Sequence, residues 1–331
     1  AGASHTAGLA VFSFLFFALV LFFSLRPGEI MTWIGKVLNP LFLLFLGILL
    51  VRALASPAGA IRDVAPEGGY VHGAFFTGLL EGYNTMDVLA GLAFGIVVVD
   101  AIRGLGAEEP GEIAKSTVKA GLFSSLLMAL IYVMVTVMGA QSRGVFPASE
   151  NGGEALAKIA GYYFGTAGAL ILAVTVTVAC LKTAVGLITS CGRTFVKLFP
   201  GGPSYRIWAA AFCVLSFLIA NLGLNTIIAY SMPVLMFLYP LAIVLIALTF
   251  SDRLFHGKKG VYQCVMAFTA FGAVFDFLRA LPDDISSLPV IERITETAAL
   301  LLPFSEQGFG WVCPALAGFI VGFLCSHKSD L

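Results

Sequence analysis

Phe76-Thr77-Gly78-Leu79-Leu80-Glu81-Gly82-Tyr83-Asn84-Thr85-Met86-Asp87-Val88-Leu89-Ala90-Gly91 decides how the fold is read. It lies inside an apolar run over residues 71–102. A continuous membrane helix would not gather Glu, Gly, Tyr, Asn, Thr and Asp at its middle. Irregular backbone at bilayer depth is tolerated only where protein buries it or it lines a cavity. The run has about 30 residues where one crossing needs about 20. These observations predict a helix broken in two at residues 82–85, with the break forming a ligand site. Two short segments joined by a polar loop are the alternative.

Composition sets the class. Hydrophobic residues are 59% of the 331 and charged residues 11%, against about 25% charged in a soluble domain. The chain therefore reads as an all-α polytopic membrane protein. Formal net charge is zero, and nothing points to nucleic acid. His5, His72, His256 and His327 are scattered, and no HExxH or CxxC pattern occurs, which argues against a metal or haem centre. Cys180, Cys191, Cys213, Cys264, Cys313 and Cys325 fall in or beside apolar runs and read as small buried residues.

Nine apolar segments follow in order: 8–25, 31–54, 73–102 (broken), 117–138, 166–190, 206–221, 226–250, 261–280 and 308–325. Windows of this length and apolarity read as membrane helices. Loops on one side, from Arg26 and Lys36 to Lys328, hold twelve basic residues, and loops on the other side hold six. The positive-inside rule then makes the C-terminus cytoplasmic and turns Ala1 outward. Ala1–Leu25 lacks a basic leader region and does not read as a signal peptide. A processed N-terminus or a piece of a longer protein is expected. Two outer connections, residues 141–165 and 281–307, carry short amphipathic helices around Glu154–Ile159 and Pro289–Leu300. Each reads as a lid or as a passive helix resting on the bundle.

Ionisable residues at bilayer depth cost roughly 2.5–3.5 kcal/mol on insertion scales and so mark function or pairing. Asp87 precedes the helical run Val88–Phe94 and reads as the cap of the second half-helix, with direct contact to a cation or amine as the alternative. Gly82 permits a left-handed exit from the first half. One half-helix end offers carbonyls and the other N–H groups, so the gap suits a zwitterion. In Thr175–Ser190, Ala179, Lys182, Thr183 and Gly186 share a helix face. That face serves close packing with Lys182 snorkelling, or it forms a cation site with Thr183 as ligand or Lys182 as the charge itself. Asp276 and Arg279 are three apart and are expected to pair. Pro233 and Pro240 are expected to kink their helix.

The sequence resembles the bacterial branched-chain amino acid:cation symporter family. The matching stretches are Gly82–Asp87, Phe94–Val98, Ala179–Leu187, Asn221–Leu224, Pro233–Leu235, Tyr239-Pro240 and Pro303–Gly308. They recur in order from the third segment to the last. The resemblance implies a leucine-transporter-like fold with two inverted five-helix repeats and two further helices. The nine segments would be helices 4–12, with the first three helices absent. Residues 1–54 would end the first repeat, 73–250 would form the second, and 261–325 would be two accessory helices of one transmembrane domain. It further implies uptake of leucine, isoleucine and valine with sodium or a proton, in the bacterial plasma (inner) membrane, with lipid as a partner and no cofactor. Oligomeric state stays open. By the same resemblance Gly82, Tyr83, Asn84 and Thr85 line the substrate site. Ala90, Phe94 and Leu187 form its apolar part, and Ala179, Lys182 and Thr183 form a cation turn. Lys182 departs from a plain sodium turn, which would carry a hydroxyl there.

Overall fold

The computed structural model describes residues 2–26, 29–255 and 257–328. Ala1 and His256 lie outside the described residues. Thirteen α-helices are described: α1 Gly2–Leu25, α2 Glu29–Ala55, α3 Tyr70–Asn84, α4 Asp87–Gly104, α5 Pro110–Ser142, α6 Gly152–Leu198, α7 Tyr205–Ala220, α8 Leu224–Phe250, α9 Asp252–Phe255, α10 Lys259–Arg279, α11 Asp283–Ser286, α12 Pro289–Leu301 and α13 Val312–Lys328. No strand occurs among the described residues.

Each of the nine apolar segments coincides with one of these helices, the third with the pair α3 and α4. Five helices among the described residues are long and apolar enough to cross a membrane, and six if Tyr70–Gly95 and Val98–Gly104 count as one bent span. Three more are apolar but shorter: Pro40–Ala55, Tyr205–Ala220 and Val312–Cys325. At 1.5 Å per residue, a 16-residue helix such as α7 is about 24 Å long, short of a hydrocarbon core about 30 Å thick. Length alone therefore does not establish nine crossings. α7 stops where Asn221 Nδ2 donates to Phe217 O at 2.7 Å. Gly223, at φ 86°, then turns the chain into α8.

Apolar side chains lie outside as well as inside. Leu122, Phe123 and Leu126 of α5 are 63%, 72% and 64% exposed. Only 6% of the most apolar window of α5 is buried, against 33% for α10. Such a surface is matched by lipid rather than by water. The chain is a multi-pass membrane protein.

The chain forms two compact units, one of residues 1–65 and 93–225, the other of residues 66–92 and 226–331. In the first unit, Leu46, Leu49, Leu50 and Ala53 of α2 pack with Met138 of α5 and with Ile159, Ala160 and Leu172 of α6. Val20 of α1, Leu181, Val185 and Ile188 of α6, and Ala209 and Cys213 of α7 form its second cluster. Tyrosine hydroxyls tie the elements together: Tyr163 Oη donates to Ser56 O and Tyr205 Oη to Ser24 O, both at 2.8 Å. α6 begins on a side-chain cap. Asn151 Oδ1 accepts from Glu154 N at 3.0 Å, and Glu154 Oε2 accepts from Glu150 N at 3.0 Å. Gly165, at φ 63° and ψ −159°, divides the helix, a conformation that glycine alone reaches cheaply. The predicted amphipathic helix lies before this break and the apolar segment after it.

In the second unit, α10 and α13 meet backbone to backbone. A Cβ on Gly272 would lie 2.6 Å from Trp311 Cα, and one on Gly318 would lie 2.8 Å from Phe268 Cβ. Gly322 meets Val261 Cα at 3.1 Å on the same terms. Small residues at this spacing let helices approach where no hydrophobic drive separates them from lipid. α12, predicted as an interfacial helix, forms as expected, and its Arg293, Ile294 and Ala298 share an apolar groove with Phe271 and Phe275 of α10. Pro233 and Pro240 both lie within α8, which stays one helical element.

Gly272→Leu is expected to destabilise the protein by about 1–3 kcal/mol through overpacking against the Trp311 backbone. Gly260→Ala, on the same helix with nothing within 4 Å of the added Cβ, is expected to change stability by less than about 1 kcal/mol. Thermal unfolding midpoints in detergent compare the two.

Candidate functional site

The break in the quoted stretch falls at Thr85-Met86. α3 ends at Asn84 and α4 begins at Asp87. The left-handed residue is Met86, at φ 58°, whereas Gly82 lies within α3. The expected exit at Gly82 is therefore displaced by four residues, and a non-glycine residue takes the strained conformation. Thr85 explains why it holds. Its Oγ1 donates to Gly82 O at 2.8 Å and accepts from Asp87 N at 3.4 Å. Met86 O accepts from Ala90 N at 2.9 Å, opening the α4 ladder. Asp87 is the first residue of α4, so its carboxylate sits in the first turn, where the dipole favours it. Thr85 Oγ1 supplies a side-chain hydrogen bond at this helix start. Asn84 Nδ2 donates to Glu81 Oε2 at 2.8 Å.

Tyr83 is 4% exposed and stacks on Tyr239 of α8, with ring centroids 4.3 Å apart and planes at 20°. Leu235 and Met236 complete this cluster, with Val88 and Leu89 packed against it. The hydroxyls of Tyr83 and Tyr239 are buried and have no hydrogen-bond partner among the described residues. Gly82 and Thr85 are exposed, and Asn84, Asp87 and Ala90 are half-buried. All of these residues belong to the second unit.

In the first unit, a cavity of about 500 Å³ is lined by Ala179, Lys182, Thr183 and Gly186 of α6, Phe94 of α4, and Phe42 and Leu43 of α2. All three predicted cation-turn residues and one predicted substrate residue thus line one cavity. Phe94 rests on Gly186, whose missing Cβ would lie 3.1 Å from the ring. Ser190 Oγ donates to Ala93 O at 3.1 Å and fixes α4 against α6. Thr183 Oγ1 donates to Ala179 O at 3.1 Å. That bond uses the hydroxyl proton and leaves lone pairs to accept. Lys182 is half-buried and makes no ion pair among the described residues. Leu187 is 38% exposed and does not line the cavity.

Phe42 and Leu43 escaped the sequence reading, because nothing local in α2 marks a contact with α6. The pairing expected of Asp276 differs in the structure. It makes no ion pair with Arg279 among the described residues, and instead its Oδ1 accepts from Gly310 N at 3.3 Å. Tertiary packing of α10 on the turn before α13 overrides the i,i+3 spacing.

The sequence matches the branched-chain amino acid transport protein family over residues 1–329. The chain belongs to that family. It is 48% identical over 320 residues to a branched-chain amino acid permease, BrnQ, of Lactobacillus delbrueckii subsp. lactis, covering 97% of this chain and 71% of the relative. It is 42% identical over 318 residues to BrnQ of Bacillus subtilis, covering 96% of this chain and 70% of that relative. The branched-chain amino acid transport system 2 carrier protein of Pseudomonas aeruginosa is 36% identical over 325 residues, which is 96% of this chain and 70% of that protein. No solved structure matches the chain. The family and these relatives are transport proteins and permeases rather than enzymes.

Thr85→Val removes both bonds of the Thr85 hydroxyl at constant volume and is expected to cost about 1–3 kcal/mol. Thr85→Ser, which keeps the hydroxyl, is expected to stay within about 1 kcal/mol of the parent. Chemical denaturation in detergent reads the difference.

Proposed function

We propose that the protein is a secondary active symporter that moves leucine, isoleucine and valine together with a sodium ion or a proton by alternating access. The observation that carries this reading is the α6 cavity, where Ala179, Lys182, Thr183 and Phe94 come together in a member of this family. The permease names of the relatives support the substrate class.

In this reading the charged ends of the substrate bind at Gly82, Tyr83, Asn84 and Thr85. The end of α3 offers carbonyls to the ammonium, and the start of α4 offers N–H groups to the carboxylate. Ala90 is the candidate in the same unit for contact with the aliphatic side chain, and Phe94 and Leu187 stay candidates by the family resemblance alone. Asp87 in the first turn of α4 steadies that helix end. An aliphatic pocket separates Leu, Ile and Val weakly, since one methylene is worth about 1–3 kcal/mol.

Lys182 distinguishes the two coupling modes. Sodium is a hard cation that prefers oxygen ligands, and here Thr183 Oγ1 and nearby α6 carbonyls would supply them. An ammonium beside them competes for the same positions. Lys182 then acts as a tethered charge that replaces the ion, or it exchanges a proton during the cycle. Snorkelling is the remaining role for its side chain.

The architecture that goes with this function is a leucine-transporter-like fold. Residues 1–54 would close a first repeat, 73–250 would form the second, and 261–325 would add two helices. We place the protein in the bacterial plasma (inner) membrane from its family, and its C-terminus in the cytoplasm from the charge bias of its loops.

Membrane vesicles carrying the protein are expected to accumulate labelled leucine under an inward sodium or proton gradient, with excess isoleucine and valine competing. Absence of gradient-driven uptake with either ion rules the function out. Lys182→Thr and Lys182→Ala are expected to change ion dependence at least tenfold. Unchanged dependence in both variants removes Lys182 from the ion site.

A further inference from the structure

The second unit contains a cavity beside the first half of the broken helix. It measures about 510 Å³, within the range of small-molecule sites. Phe76 and Leu80 of α3 and Met236 of α8 give it an apolar wall, while Asp276 and Arg279 of α10 and Glu306 of the turn before α13 give it charges of both signs. No residue of the α6 cavity contributes to it.

Asp276 is the decisive group. It is 1% exposed, and its Oδ2 is buried without a hydrogen-bond partner among the described residues. Its Oδ1 accepts from Gly310 N at 3.3 Å, and the Trp311 amide also faces the carboxylate. Arg279 lies one turn away on the same helix but not within ion-pair distance. Buried carboxylate oxygens are almost always satisfied, so one that protein groups leave unmet points to a donor from elsewhere. The guanidinium is exposed and presents a planar fork suited to a carboxylate. Gly308, in the left-handed region at φ 77°, brings the turn against Leu80 and Met236, each 3.0 Å from where its Cβ would stand.

We propose that this cavity is a second binding site for a zwitterionic amino acid with an aliphatic side chain. The α-ammonium would donate to Asp276, with Glu306 beside it. The α-carboxylate would take the Arg279 fork, and the side chain would rest on Phe76, Leu80 and Met236. The inference rests on the reading that the protein handles branched-chain amino acids, and it assigns them a place separate from the break.

Equilibrium binding of labelled leucine to the purified, detergent-solubilised protein tests it. The expected result is two equivalents per chain, falling to one in Arg279→Gln, with the remaining site's Kd within about twofold of the parent. Arg279→Lys should keep the second equivalent with at least tenfold weaker affinity. Leucinamide, which lacks the carboxylate, should compete at least tenfold more weakly than isoleucine for the equivalent that Arg279→Gln abolishes. Because Arg279 is exposed, the variant should unfold at the parent's midpoint, which shows that the loss is local. One equivalent in the parent, unchanged in Arg279→Gln, overturns the inference and leaves the transport reading standing. No leucine binding in either protein overturns both. One equivalent that Arg279→Gln abolishes overturns the inference of a second site, because this cavity is then the one leucine site, and with it the placement of the substrate at Gly82–Thr85.

Discussion

One hydroxyl group holds the break together. Thr85 Oγ1 gives its proton to the carbonyl of Gly82 and takes the amide proton of Asp87. It thereby links the last turn of one helix to the first of the next, beside the backbone bonds from Thr85 N to Gly82 O at 3.3 Å and from Met86 N to Tyr83 O at 3.0 Å. In an apolar medium an interrupted helix survives only if its freed groups find local partners. Meeting that condition with a side chain allows the backbone to turn at Met86, a residue with no intrinsic preference for a positive φ. Tyr83 follows from the same geometry. Three residues before Met86, it is buried in the unit and stacks on Tyr239, so the α3 end is anchored by packing as well as by hydrogen bonds.

What the sequence made legible was periodic or compositional. Lipid-facing surface needs only hydrophobicity, and all nine apolar segments emerged as helices. The face Ala179, Lys182, Thr183, Gly186 was readable because helical spacing alone aligns it, and all four residues line one cavity. The break was readable because polar residues cluster there. Its exact turn was not, because glycine at position 82 is the cheaper left-handed residue in isolation, and the Thr85 bonds outweigh that preference.

Long-range contacts stayed hidden. Phe42 and Leu43 carry no mark of their partnership with α6, and Asp276 looked like half of a helix-surface ion pair. In the folded chain α10 lies so close to α13 that Gly310 N reaches the Asp276 carboxylate. That approach depends on Gly272, Gly318 and Gly322, whose role as contact points cannot be told from ordinary membrane-helix glycines without the partner helix in view. Helix length was similarly ambiguous. α7 reads as a full segment in composition, yet its 16 residues fall short of a full hydrocarbon thickness.

The contrast between α5 and α10 bears on how freely the chain can drift. With 6% of its apolar window buried, α5 is constrained by solvation rather than by shape. Exchanges among Leu, Ile, Val and Phe at Leu122, Phe123 or Leu126 keep it at home in lipid, while a single lysine there meets the insertion penalty. α10 is constrained the other way. At Gly272 one added carbon collides with Trp311, however apolar that carbon is. Two helices of similar composition thus read different alphabets: one spells in hydrophobicity, the other in volume.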